Sequence, residues 1–300
     1  MTIAQPLIER RPSARGRAMV LARKISGRGI IYLLATFFAL LFMVPFVWTI
    51  SSSLKHVSEL YLFPPTWVPE AIQWGNYVTI WQKAPLARYF ANSFVVTGLC
   101  LVGSLASSAI VGYSFARFRY PGRDLFFLIT LSTMMLPVEV TLIPTYLMFS
   151  KIGWTNSIRP LVIPAFFGGG AFHIFLMRQF FLTIPRDFDE SARIDGANFI
   201  LIFARILMPL AKPVLATAAV IGIISHWSDF LTPLIFLDEP DKFTIAIGLK
   251  RFQAAAAIGG ERQDHLLMAA SITATMPLII LFFLAQRYFV RGVVMSGIKG

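Results

Sequence analysis

The sequence predicts an all-α polytopic membrane protein with six transmembrane helices, and three observations carry that expectation. Hydrophobic residues make up 56% of the 300 and charged residues only 14%, with a mean hydropathy of +0.69. A soluble core does not need so much apolar material. The apolar residues gather into runs long enough, at about 1.5 Å per helical residue, to cross a hydrocarbon core of about 30 Å. The basic residues behind the net charge of +12 lie mostly between those runs and are unevenly shared between the two sides they define.

Residues 1–28 carry Arg10, Arg11, Arg15, Arg17, Arg23, Lys24 and Arg28 against a single acid, Glu9. This composition predicts a largely disordered tail beside anionic lipid. The first apolar run, 29–52, is longer than the apolar centre of a signal peptide and is read as an uncleaved span. Residues 55–88 hold Pro64, Pro65, Pro69, Gly75 and Pro85 interleaved with Trp67, Trp74 and Trp81, which predicts an ordered loop at the membrane interface. Further spans are expected near 89–115, 124–149, 160–181, 213–237 and 266–288. The layout is therefore a basic tail (1–28), a six-span domain (29–290) interrupted by a loop at 184–213, and a C-terminal tail (291–300).

The charges give the topology. Arg117, Arg119, Arg123, Arg178, Arg186, Arg193, Arg205, Lys212, Arg287, Arg291 and Lys299 fall on the same side as the N-terminal tail. Fewer lie opposite: Lys55, Lys83, Arg88, Lys151, Arg159, Lys242, Lys250, Arg251 and Arg262. The positive-inside rule places both termini and the 184–213 loop in the cytoplasm. It also accounts for the pI near 10.2 without nucleic acid.

Pro45, Pro137, Pro144, Pro164, Pro233 and Pro277 fall within spans, so kinked and mutually packed helices are expected. Gly98, Gly103, Ser104, Ala106, Ser107, Ser108 and Gly112 form a run of small residues on the second span. It suits close helix approach, either within the chain or to another subunit.

Chemistry-bearing patterns are sparse. Glu139, Asp229 and His226 are the ionisable groups deepest in predicted spans, and burial in a bilayer makes such groups candidates for a permeation path. Glu139 and Asp229 sit towards the outer ends of their spans, where each could also reach interfacial water. His226 beside Trp227 reads as a packed interfacial pair. The histidines are scattered and no phosphate-loop pattern is present, so neither catalytic residues nor metal ligands are assigned. Gly168-Gly169-Gly170 lies at a span and suits a kink or close packing. The single cysteine, Cys100, cannot form an intrachain disulfide.

The 184–213 loop has legible local physics. Pro185 suits a helix start, Asp187 can cap it with Glu190 as capping-box partner, and Asp187, Asp189 and Glu190 favour the positive end of the helix dipole. Gly196 can take the left-handed conformation that stops the helix. Asn198 can then cap a second helix from Phe199 to about Leu207, ended by Pro209. Ile200, Phe203 and Ile206 or Leu207 share a face, which should lie against something apolar. The expected product is a helix-turn-helix elbow projecting from the bundle, and capping alone leaves a plain connector as good a reading as a functional one.

Glu190-Ser191-Ala192, Gly196, Ile206 and Pro209 resemble the EAA loop of permease subunits of bacterial ABC importers: E-A-A, three residues, G, nine residues, I-x-L-P. Ser191 stands for the first alanine and Met208 for the leucine. The stretch from Tyr113 to Arg123, then Ala285-Gln286-Arg287-Tyr288 and Gly297-Ile298-Lys299-Gly300, are similar to the carbohydrate-uptake branch, the maltose-type inner permeases. The resemblance implies a type I importer permease fold in the bacterial inner membrane, transporting a sugar, an oligosaccharide or a polyol. It implies that Glu190, Ser191, Ala192, Gly196, Ile206 and Pro209 couple to a separate ATPase dimer, with Glu190 in a cleft and Ala192 and Gly196 allowing close docking. Gly297, Lys299 and Gly300 would contact that ATPase through the tail. It further implies a second homologous permease, giving a heterodimer, and an extracytoplasmic solute-binding protein that docks on the outer loops 55–88 or 238–264. ATP and Mg would bind on the partner subunits, and this chain would hold no cofactor.

Two other classes compete. A self-contained secondary transporter usually shows internal repeats and midplane charges, and no clear repeat is visible while the acids lie off-centre. An intramembrane enzyme needs a nucleophile and base, or a metal cluster, at one depth, and the sequence offers neither.

Overall fold

Among the described residues, 14–257 and 263–296, the computed structural model holds helices, turns and connecting loops but no strand. The first helix, α1 (Ala14–Ser53), already runs through 14–28, so that part of the basic tail is helical and not disordered as expected. Arginine, lysine, alanine, leucine and methionine are good helix formers, and here they extend a helix the apolar span has already nucleated. From residue 29 to residue 47 α1 turns outwards, with Phe42 and Phe46 among its exposed residues, and the helix it packs on is α14 (Asp264–Ser296).

The interfacial loop after α1 is ordered, as expected. Lys55 is fully buried, donates to the Thr66 carbonyl and lies 4.6 Å from the centre of the Trp48 ring. Asn76 at the start of α2 (Gly75–Lys83) donates to the carbonyls of Ser53 and Lys55, which ties the loop back to the end of α1.

The central rod is α3 (Leu86–Arg117), whose 32 residues span about 48 Å. Gly103, Ser104, Ser107 and Gly112 close a contact within the chain, whereas Gly98 and Ala106 are exposed. A Cβ on Gly103 would come 2.6 Å from the Phe166 ring, and one on Gly112 would come 2.7 Å from Met177. Ser107 Oγ donates to the Ala165 carbonyl at 2.9 Å. Gly169 has φ +65°, and a Cβ there would lie 2.3 Å from the Ser104 carbonyl oxygen, so the three-glycine stretch serves close approach.

The third predicted span is not one kinked helix. It is α4 (Arg123–Ser132), a 3₁₀ turn to Met135, and α5 (Val138–Lys151), bent by 101°. Proline disfavours helical backbone in the residue before it, and Leu136 before Pro137 is accordingly extended. The fourth comprises α6 (Arg159–Val162), a 3₁₀ turn, the glycines and α7 (Ala171–Thr183). Three short helices follow: α8 (Asp187–Ile194), α9 (Phe199–Ile202) and α10 (Met208–Leu210). The fifth span is α11 (Lys212–Ser228), broken at Asp229 from α12 (Leu231–Phe236). After α13 (Ile245–Ala257), α14 continues to Ser296, past the expected end of the span at 288. Among the described residues four helices are long and apolar enough to cross a membrane, and up to six spans result if each bent pair counts as one.

Two buried clusters sit at opposite ends of α3. One gathers Leu86, Tyr89, Trp227, Phe243, Ile245 and Leu266. The other gathers Tyr113, Ala116, Phe181, Ile184, Ala192, Ile202, Leu207 and Ala211, and it carries the elbow. Trp227 belongs to the first cluster, buried and donating to the Ala274 carbonyl at 3.1 Å, so it is packed between helices as expected, and His226 beside it is half-buried.

Candidate functional site

Residues 184–213 form the elbow, and its two turns follow from local chemistry. At the end of α8 the Ala197 amide donates to the Ala192 carbonyl at 2.9 Å, and the Gly196 amide to that of Arg193 at 3.0 Å. This is the double bond pattern of a glycine helix stop, with Gly196 at φ +84°. No atom lies within 4 Å of where a Gly196 Cβ would stand, so the backbone angle requires the glycine and local crowding does not. Asn198 caps α9 by accepting from the Leu201 amide at 2.9 Å, as expected. The Arg193 guanidinium lies 4.8 Å from the centre of the Phe199 ring and closes the turn from outside.

The other end of α8 corrects the sequence reading. Arg186 occupies the cap position, Asp187 is already helical, and no side-chain cap bond forms there. The Glu190 amide donates to the Arg186 carbonyl at 3.0 Å, so the capping box is not made. Asp187, Asp189 and Glu190 still crowd the positive end of the helix dipole.

Pro209 does not end the second helix. The chain passes from α9 through a π-helical turn, Phe203–Leu207, into α10 and bends by 75° before α11. In a regular helix the proline ring would strike the carbonyl four residues back, and the widened turn lies where that clash would occur. The buried face is Ile202 and Leu207 with part of Phe203 and Ile206, whereas Ile200 is 76% exposed, so its expected place on that face is wrong.

Ala192 also points the other way from its implied role. It is buried in this chain's own cluster beside Ile184 and Ala211, where its small size lets α8 lie close on the bundle. Glu190, Ser191 and Gly196 are exposed, with Phe188 and Ile194 beside them, and Ile194 is 87% exposed. The elbow thus has an apolar face welded to the bundle and an acidic and apolar rim turned away from it.

Sequence reasoning missed what holds the elbow in place. Arg117, the last residue of α3, donates to the Ile184 carbonyl at 3.0 Å and lies 3.1 Å, Nε to Oδ2, from Asp189. Both side chains are buried, at 4% and 10% exposure. The Nε–H does not point along the contact, which is therefore an ion pair and not an aligned hydrogen bond, and Asp189 Oδ1 has no hydrogen-bond partner. Tyr113 adds a hydrogen bond to the Phe199 carbonyl at 3.2 Å, so two residues from one end of α3 grip both arms of the elbow. The only sequence signal was an acid in a first turn whose position faces inwards together with Ala192.

The remaining candidates lie elsewhere. Glu139 is exposed in the first turn of α5, just after the break in the third span. Asp229 is half-buried and accepts from the Thr232 amide at 3.2 Å, which caps the start of α12. Gly297, Lys299 and Gly300 lie outside the described residues.

Comparisons with known proteins agree with this architecture. Residues 108–295 match the family described as binding-protein-dependent transport system inner membrane component. The chain is 33% identical over 267 residues to the arabinooligosaccharides transport system permease protein AraQ of Halalkalibacterium halodurans, covering 88% of this chain and 94% of that protein. It is 35% identical over 244 residues to the sn-glycerol-3-phosphate transport system permease protein UgpE of Pectobacterium atrosepticum, covering 79% and 85%. The crystal structure of a bacterial ABC transporter involved in the import of the acidic polysaccharide alginate contains a chain with the same fold. It matches at a TM-score of 0.75 and 25% identity, over 93% of this chain and 99% of that one. The chain belongs to the family of binding-protein-dependent transport system inner membrane components.

Proposed function

We propose that this chain is one half of the translocation path of an ATP-driven importer for a sugar or oligosaccharide, with the elbow as its contact to a separate ATPase dimer. The observation that carries the reading is the two-faced elbow: an inner face buried in the bundle and an exposed rim of Phe188, Glu190, Ser191 and Ile194. A rigid projection of this kind can convert closure of an ATPase dimer into rocking of the bundle, which gives alternating access. Similarity to permeases for arabinooligosaccharides and sn-glycerol-3-phosphate supports a carbohydrate or polyol phosphate as cargo.

In this reading the protein sits in the bacterial inner membrane with both termini and the elbow in the cytoplasm. It pairs with a second, homologous permease and receives its cargo from an extracytoplasmic binding protein. ATP and Mg are held by the ATPase subunits. Glu190 enters a cleft of the ATPase, Gly196, Ile206 and Pro209 set the shape presented to it, and Gly297, Lys299 and Gly300 extend the contact. Glu139 and Asp229 are assigned to the cargo path. Glu190→Ala and Gly196→Pro are expected to abolish uptake in cells while the chain still inserts in the membrane at normal abundance. Uptake at the unsubstituted rate in either variant would refute the coupling role.

A further inference from the structure

α3 is fastened to other parts of the chain at both ends. At the elbow end Arg117 holds Asp189 and the Ile184 carbonyl, and Tyr113 holds the Phe199 carbonyl. At the far end Asn92 donates to the carbonyls of Asp241 and Phe243, at 2.9 and 3.0 Å, and Ser93 Oγ accepts from the Ile245 amide at 2.8 Å. Tyr89 packs so closely on Gly248 that a Cβ there would lie 2.2 Å from its ring. The rod between these ends is held against its neighbours by contacts at Gly103, Ser107 and Gly112.

The bonds at the elbow end are not equivalent. Those to the Ile184 and Phe199 carbonyls run to backbone just outside α8, on either side of it. The Arg117–Asp189 pair reaches a side chain on α8 itself, next in sequence to the exposed Glu190. Among the described residues it is the ion pair with both members buried. Charge attraction is screened least where water is excluded, so this contact resists separation more than a solvated pair would.

We propose that Arg117 and Asp189 are positioning residues that make α8, α3 and the 241–248 segment move as one body. A push on the elbow rim then reaches the opposite end of the protein without the rod having to bend. The proposal rests on the permease reading for its purpose, while the mechanical link is a property of this chain alone.

The test uses the complex that co-purifies with the tagged chain, placed in lipid nanodiscs in a Cys100→Ser background. Spin labels are attached to cysteines introduced in place of exposed residues. Asp195 and Asp241 form a pair across the link, and Val102 and Asp241 form a pair within the α3 body. The unsubstituted chain should give one narrow distance for each pair. Asp189→Asn should abolish the single distance of the first pair and leave the second unchanged.

The proposal is overturned if Asp189→Asn leaves the first pair narrow. It is equally overturned if both pairs broaden together, which would mean general loosening. ATP hydrolysis by the unsubstituted complex is measured on the same samples. Its absence would strike the importer reading, while the label comparison would still decide the link.

Discussion

The two ends of α3 each carry an arginine paired with an aspartate, and the shorter contact is the weaker device. Arg88 and Asp241 at the far end approach to 2.6 Å but are 56% and 69% exposed. Arg117 and Asp189 at the elbow end are 3.1 Å apart and nearly sealed from solvent. An exposed pair is screened and pays side-chain entropy, so it contributes about 0–1 kcal/mol. Breaking a buried pair from one side strands a charge where water cannot reach it. The far end therefore relies on neutral bonds from Asn92 and Ser93 and on Tyr89 against Gly248, and its ion pair is an accessory. Distance does not rank these contacts, and burial does.

The sharpest way to break the comparison is Asp189→Ala, which should cost about 3 kcal/mol or more of stability by leaving Arg117 uncompensated. Thermal unfolding in detergent should show a clear drop in Tm, and R117M/D189L should recover much of it, since an apolar pair avoids the stranded charge. A Tm unchanged by Asp189→Ala would mean that water serves Arg117 after all.

At the far end the corresponding large effect should come from Gly248→Ala. The added Cβ meets the Tyr89 ring rather than the tip of a flexible chain, and overpacking of this kind costs about 1–3 kcal/mol. Tyr89→Ala combined with it should relieve the clash, measured by the same melting experiment. Additive losses would show that the contact is not the source.

Arg88→Ala should come lower, at under about 1 kcal/mol, and its effect should fade as salt is raised. A loss rivalling that of Asp189→Ala would erase the distinction between the two ends.

The smallest effect concerns Glu239 in the loop before Asp241. The hydrogen bond from Lys242 and then that from the Asn156 amide hold its carboxyl below the usual carboxylate range. A depressed folded pKa means that the tie is complete above the ordinary carboxylate pKa and is lost as pH falls through the lower, folded value. The Asp238 and Glu239 amides, which donate to Asn156 Oδ1, should therefore exchange hydrogen faster in that acid window. Exchange that follows only the intrinsic pH dependence would show that Asn156 is held without Glu239.

Much of the elbow was legible because its turns are local. Gly196 stops α8 by a backbone angle that glycine takes freely, and Asn198 caps α9 with an atom three residues from its partner. Legibility fails where a neighbour distant in sequence competes. Ile200 loses the apolar face to Ile202, because α3 and α7 decide which side of the helix is covered. Ala192 matches its motif position yet serves this chain's own packing. Pro209 has the chemistry of a helix breaker, and with a widened turn ahead of it the helix runs one residue further, to Leu210. In the third span the prolines were visible, but the size of the bend, 101°, depends on what α4 and α5 lie against.

By itself the sequence determined that the chain crosses a membrane with helices, where its apolar runs lie, and that a glycine-stopped elbow interrupts them. These are consequences of composition, periodicity and backbone chemistry within a few residues. Only the tertiary structure decided that Arg117, one more flanking positive charge in the sequence, would be buried against Asp189. Whether such a pair is a solvated ornament or a structural lock depends on how much water the surrounding helices exclude. That exclusion is a property of the whole packed bundle and of no stretch within it.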